Sequence, residues 1–246
     1  MESFFSKDIY VPPFSLFSKE HIITLLSLTL INILFVLWFM KVKNTKSTDC
    51  FRKGLAGFLL LNELYYVTWS ILTGNWSMDN SLPIQLCEAV AFASAVMLLY
   101  NHFRLFEVVY FLGLGGGIQA LITPDLYYPF PHSRFFSFFL GHNAVFMAIF
   151  YMLIVKNFIP SLKSILKTFI FTNLYMVVIS IINILTGGNY LFLCSKPENG
   201  SLLDFLGPWP WYILSLEGIG LLIFLTLYLP FGIAAIKKKS SIKLYE

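Results

Sequence analysis

The sequence predicts an all-α fold, a polytopic membrane bundle of seven transmembrane helices with the N-terminus outside and the C-terminus inside. Three observations point there. The 246 residues are 57% hydrophobic and only 12% charged, with a mean hydropathy of +0.74. Ordinary soluble domains carry about 25% charged residues, so too little polar surface is left to coat a water-soluble globule. Seven apolar runs recur along the chain, and the basic residues divide unequally between the loops that join them.

The runs are His21–Met40, Gly54–Thr73, Leu82–Tyr100, Glu107–Thr123, Arg134–Val155, Leu162–Leu185 and Trp211–Ile236. Each is near the roughly 20 residues that cross hydrocarbon as a helix. Only helices or closed barrels satisfy their backbone within lipid, and unbroken apolar runs without alternation select helices. Leu82-Pro83 opens the third run, a position that suits proline in a first helical turn. No polar stretch is long enough for a second domain, so residues 1–246 are expected to form one integral membrane domain.

With the N-terminus outside, 13 of the 17 basic residues fall inside and only Lys7, Lys19, Arg134 and Lys196 remain outside. The positive-inside rule therefore sets the orientation. The net charge of +4 reports topology and gives no support for nucleic-acid binding. Lys237-Lys238-Lys239 reads as a stop-transfer anchor. The first eighteen residues lack a basic leader pattern, so the first helix is expected to stay uncleaved.

The outer connections hold the unusual residues. Prolines 124, 129, 131, 197, 208 and 210 stiffen them, and Trp209 and Trp211 suit the interface. Asn189–Pro210 is expected to fold back as a partial lid, with Leu202, Leu203 and Phe205 resting at the interface. Any site is expected to open outward.

Cys87 and His142 lie at similar depth in two different runs. Polar groups there are costly and often mark function. A thiol beside an imidazole is a common nucleophile and base. Cys87 shares a narrow face with Ala91 and Ser94, and Gln85 and Glu88 form a second, polar face. Phe138, Phe139 and Phe146 flank His142, so the imidazole is partly desolvated and able to act as a base. Gly113, Gly115, Gly116 and Gly117 remove bulk from the fourth helix, which reads as close packing. The chain has no HExxH or paired-cysteine pattern for zinc and no GxSxG elbow. No metal and no cofactor are expected. Against a catalytic pair stand the plainer readings: a small buried cysteine, a structural histidine, a Cys87–Cys194 disulfide, and carboxylates at Glu63 and Glu217 that only join helices.

Leu82-Pro83-Ile84-Gln85-Leu86-Cys87, Gln119 to Asp125, and Phe130-Pro131-His132-Ser133-Arg134 followed by His142 resemble the YwaF family of bacterial integral membrane proteins. So do Asn189-Tyr190-Leu191-Phe192-Leu193 and the stretch from Leu202 through Asp204 to Tyr212. That family is similar to an animal transmembrane acyltransferase of ether-phospholipid synthesis, with a cysteine and a histidine as its proposed catalytic pair. The resemblance implies a lipid acyltransferase, or lipid-ester hydrolase, with those roles on Cys87 and His142. Glu88, Gln119, Asp125, Asn189, Asp204 and Glu217 are then candidates for binding substrate or orienting His142. Membrane phospholipids or lysolipids would be the partners, and a multi-pass protein of the bacterial cell membrane the setting. A small-molecule transporter or receptor lined by Glu63, Glu88 and Glu217, or a non-catalytic assembly protein, remain the alternatives. No obvious repeated halves favour transport.

Overall fold

Ser18 starts the first long helix by accepting the backbone N–H of His21 on its hydroxyl, as an N-cap residue does. The computed structural model describes residues 2–43, 45–196 and 202–243. A single turn, α1 (Glu2–Phe5), precedes α2 (Lys19–Lys41), α3 (Lys46–Leu72), α4 (Leu86–Tyr100), α5 (Phe103–Ile122), α6 (Ser133–Ile154), α7 (Leu162–Thr186) and α8 (Trp211–Lys243). Among the described residues, every regular element is helical. Six helices are long and apolar enough to cross a membrane, while α4 is apolar but shorter, at 15 residues.

Hydropathy placed these helices, and polar chemistry set their ends. α3 begins eight residues before its apolar run because a polar turn is locked there. Thr45 and Thr48 cap one another's backbone N–H groups, and Asp49 pairs with Arg52 and Lys53. α5 likewise starts early, with His102 Nδ1 accepting the N–H of Leu105. The third helix starts later than expected, at Leu86, so Pro83 lies outside it. Glu88 carboxylate instead accepts the backbone N–H of Gln85 at 2.8 Å and fixes that start.

The chain divides into two compact units, Met1–Phe158 and Ile159–Glu246. In the first, α4 packs on α3, α5 and α6, and α6 also packs on α2. Glycines make this closeness possible. A Cβ on Gly113 would stand 2.9 Å from both Val145 and Ile149 of α6, and one on Gly117 would stand 2.6 Å from Phe146. Small residues let backbones approach where lipid gives no hydrophobic drive. At the far end of α4, the buried Arg52 guanidinium donates to the carbonyls of Leu98 and Leu99, closing the helix against α3.

In the second unit, α7 ends at Gly187, whose φ of 72° suits glycine. Asn183 then exchanges two hydrogen bonds with the Tyr190 backbone. Asn189 gathers the N–H groups of Cys194 and Ser195, and Trp209 donates to the Leu193 carbonyl. The segment expected as a lid is therefore pinned to its own unit through residue 196. Residues 197–201 and the Leu202 side chain lie outside the described set, and Phe205 is 86% exposed.

Candidate functional site

Helices α4 and α6 run in the same direction, because α5 returns between them. A Cβ on Gly113 would meet Val90 of α4 at 3.5 Å, and Val145 and Ile149 of α6 closer still. These three residues therefore share one level. Cys87 lies one turn before Val90, and His142 one turn before Val145, toward the same end. The two site candidates sit at comparable depth on neighbouring helices. Cys87 nonetheless belongs to the first turn of α4, whereas His142 is the tenth residue of α6. The start of α4 is thus set deeper than that of α6, by about 12 Å at 1.5 Å per residue.

The histidines differ in how their nitrogens are used. In buried His21, Nε2–H donates to the Leu121 carbonyl and Nδ1 accepts the N–H of Phe17. In His132, Nε2–H donates to the Ser6 carbonyl and Nδ1 accepts the N–H of Arg134. Both rings are fully engaged and structural. His142 is not. Its Nδ1–H donates to the Phe138 carbonyl at 2.8 Å, because a carbonyl can only accept. Its Nε2 is then the proton-accepting nitrogen, and that atom is buried without a hydrogen-bond partner. The Phe138 ring lies 4.4 Å from the imidazole, centroid to centroid. Buried polar atoms are usually satisfied, so an orphaned basic nitrogen is a functional signal.

Cys87 is a free thiol with an exposed side chain, and Cys50 and Cys194 are free as well. The small face behind Cys87 is buried at Ala91 and Ser94, where Ser94 donates to the Val90 carbonyl. Glu88 is engaged at the Gln85 N–H, and Gln119 donates to the Thr123 hydroxyl. The proton on His142 Nδ1 is directed to its own helix. Asn189, Asp204 and Glu217 belong to the second unit, with Asp204 exposed in a short 3-10 turn and Glu217 half-buried on α8. Asp125 lines a polar cavity of about 440 Å³ with Tyr66, Trp69, Asn75, Asn80 and Arg134.

A polar seam between α3 and α6 carries residues that the reading of the sequence passed over. Tyr65 donates to Ser133 at 2.6 Å, and Ser137 donates to Asn62 at 2.9 Å. The Arg134 guanidinium lies 3.9 Å from the Tyr66 ring centroid and 5.6 Å from that of Trp69. Glu63, buried on α3, and Glu88 on α4 are within Coulombic reach of that cation. The signal was present: Asn62, Tyr65, Tyr66 and Trp69 recur at the spacing of one helical face. Facing Ser133, Arg134 and Ser137 repeat it.

Residues 16–228 match the TMEM164 family. The chain belongs to that family. Comparison with curated proteins and with solved structures finds no match. Membership spans the apolar helices α2 to α7, both site candidates and most of α8, and it agrees with a multi-pass membrane protein.

Proposed function

We propose that this TMEM164-family chain is a membrane-embedded lipid acyltransferase, or lipid-ester hydrolase, built on Cys87 and His142. The observation that carries the reading is the unpartnered, buried Nε2 of His142 at the level of a free cysteine on the adjacent helix. The resemblance to YwaF proteins and to the animal ether-lipid acyltransferase supports the same pair.

In the first half-reaction, His142 Nε2 takes the Cys87 thiol proton while Nδ1–H stays on the Phe138 carbonyl. The thiolate attacks the carbonyl carbon of an acyl ester, and the alkoxide leaves as a lysolipid hydroxyl with the proton returned by Nε2. The acyl group remains as a thioester on Cys87. An acceptor hydroxyl then gives its proton to Nε2 and attacks the thioester, and the proton passes back to sulfur; water in that role makes the reaction a hydrolysis. The first N–H groups of a helix have no acceptor within it. Those of Leu86 and Cys87 open α4 and are the natural donors to the oxyanion.

The basic-residue split supports an N-out, C-in topology in a cell membrane, with the α4 and α6 starts on the outer side. Phospholipids or lysolipids are the partners. The test is labelling of purified protein with a lipid-tailed thiol-reactive probe. Labelling is expected at Cys87, absent in Cys87→Ser and strongly slowed in His142→Ala. Equal labelling of wild type and His142→Ala would remove the base from the mechanism. An impermeant maleimide should reach a cysteine placed at Ser6 and miss one placed at Lys239.

A further inference from the structure

The polar cavity at the α6 start holds a cation with no direct counter-ion. Asp49 pairs with Arg52 and Lys53 within 4 Å at the opposite end of α3. Among the described residues, Arg134 makes no such pair. Its guanidinium lies over Tyr66 at cation–π distance and near Trp69, and Glu63 and Glu88 act on it only through space. A cation–π contact uses the charge of the guanidinium without engaging its N–H donors in hydrogen bonds, and those donors can grip two oxygens of one anion. Withdrawing such a charge from water without a partner is costly. An anion seated in the cavity offsets that cost.

The cavity has about 440 Å³ of space, within the usual range for small-molecule sites. Asn75 and Asn80 are among its lining residues, and amide side chains carry N–H donors. Asp125 also lines it and sets the charge balance. Arg134 and Asp125 are the charged residues in its lining, and Glu63 and Glu88 add negative potential from behind it, so a singly charged anion meets less repulsion than a doubly charged one. The aromatic residues Tyr66, Trp69, Tyr127 and Tyr128 around it are those that collect at headgroup depth. Arg134 precedes His142 by eight residues on α6, about 12 Å along the axis. A lipid whose headgroup sits at Arg134 would therefore carry its acyl esters down toward the pair.

We infer that this cavity is a phosphodiester site in which Arg134 clamps the phosphate of a phospholipid headgroup and Asp125 disfavours dianionic phosphate monoesters. The inference rests on the lipid reading above and deepens it by naming what the substrate presents at the mouth.

Native mass spectrometry of the full chain in an uncharged detergent tests it. The probes are dioleoylphosphatidylglycerol, dioleoylphosphatidic acid, dioleoylglycerol and inorganic phosphate. The diester lipid is expected to bind saturably and more tightly than the monoester, dioleoylglycerol to show no saturable adduct, and excess inorganic phosphate to leave the diester in place. Arg134→Gln should weaken the diester about tenfold to a hundredfold, the range for one lost hydrogen bond to a charged group, with Arg134→Lys between. Asp125→Asn should tighten the monoester and narrow the gap between the two, a gain that misfolding cannot produce. Equal binding of dioleoylglycerol and the diester, displacement by inorganic phosphate, or no gain in Asp125→Asn would each overturn the proposal. The same titration on Cys87→Ser separates the two readings: retained binding with no thiol labelling in the wild type would sink the enzyme and leave the headgroup site standing.

Discussion

Replacing Gly117 by alanine tests the packing that holds His142 in place. An added Cβ would lie 2.6 Å from Phe146 Cε1 and 3.2 Å from its Cζ, where carbon atoms pack at about 3.5–4.0 Å. The ring must retreat by roughly 1 Å, and it is buried. Phe146 stands one turn beyond His142 on the same face of α6 and lines an apolar cavity of about 370 Å³ between α2, α5 and α6. Overpacking of this kind costs about 1–3 kcal/mol. Alanine's better helix propensity returns up to about 1 kcal/mol, so the net loss is about 0–2 kcal/mol. Phe146→Leu alone leaves space and costs about 1–3 kcal/mol, less than full truncation to alanine. Together the two changes relieve one another, with a favourable coupling of about 0.5–3 kcal/mol. Reversible unfolding of all four proteins in mixed micelles measures the cycle, and the Cys87 labelling rate reports the site. Additivity within about 0.5 kcal/mol would mean that Phe146 does not fill the space above Gly117, and the packing argument would fail.

Arg52→Gln should lower stability by about 1.5–3 kcal/mol, the worth of hydrogen bonds to a charged group, since the Leu98 and Leu99 carbonyls lose their donor; thermal unfolding in detergent reads it. Asn32→Ala removes the amide that donates to Asn143 across α2 and α6, and should cost about 0.6–1.7 kcal/mol, as interhelical hydrogen bonds in membranes do; a detergent unfolding series against Asn143→Ala shows whether the pair acts as one unit. Burial, together with the Arg134 charge, holds His132 below the ordinary histidine value despite the opposing hydrogen bond to Ser6. The folded state then binds fewer protons than the unfolded one, so stability is complete above about pH 6.5 and falls as pH drops toward the folded value. The thermal midpoint of the wild type should fall between about pH 7.5 and pH 5.5 more than that of His132→Asn, and equal slopes would show that His132 is not the titrating group.

The helices were legible in the sequence because lipid imposes a coarse rule that composition obeys. Their ends were less so. Thr45 to Lys53 looks like a charged loop by hydropathy, yet mutual capping and the Asp49 pairs make it helical. Pro83 looked like a first helical turn, but the Gln85–Glu88 bond starts α4 later. Sequence also named Cys87 and His142, through chemistry and resemblance. It could not tell His142 from His21 or His132, because the difference lies in which carbonyls and N–H groups distant segments bring to each ring. In the sequence, Arg134 stands as a charge that orients the chain and as part of a family motif, with no binding role assigned to it. Its stacking on Tyr66 depends on the register of α3 against α6, and a run of apolar letters does not encode that register.

At 15 residues, α4 reaches about 22 Å along its axis, against a hydrocarbon core of about 30 Å. Its neighbours are long enough to cross, so the shortfall is local to the helix that bears Cys87. A bilayer meets such a mismatch by thinning, which draws polar headgroups and water inward on that side alone. Ester linkages that normally lie far above the midplane would then come down to the thiol without any lipid leaving its leaflet. If Cys87 carries the proposed chemistry, membrane thickness becomes a variable of that reaction. Vesicles of shorter-chain lipids should favour modification of Cys87, and thicker bilayers should protect it.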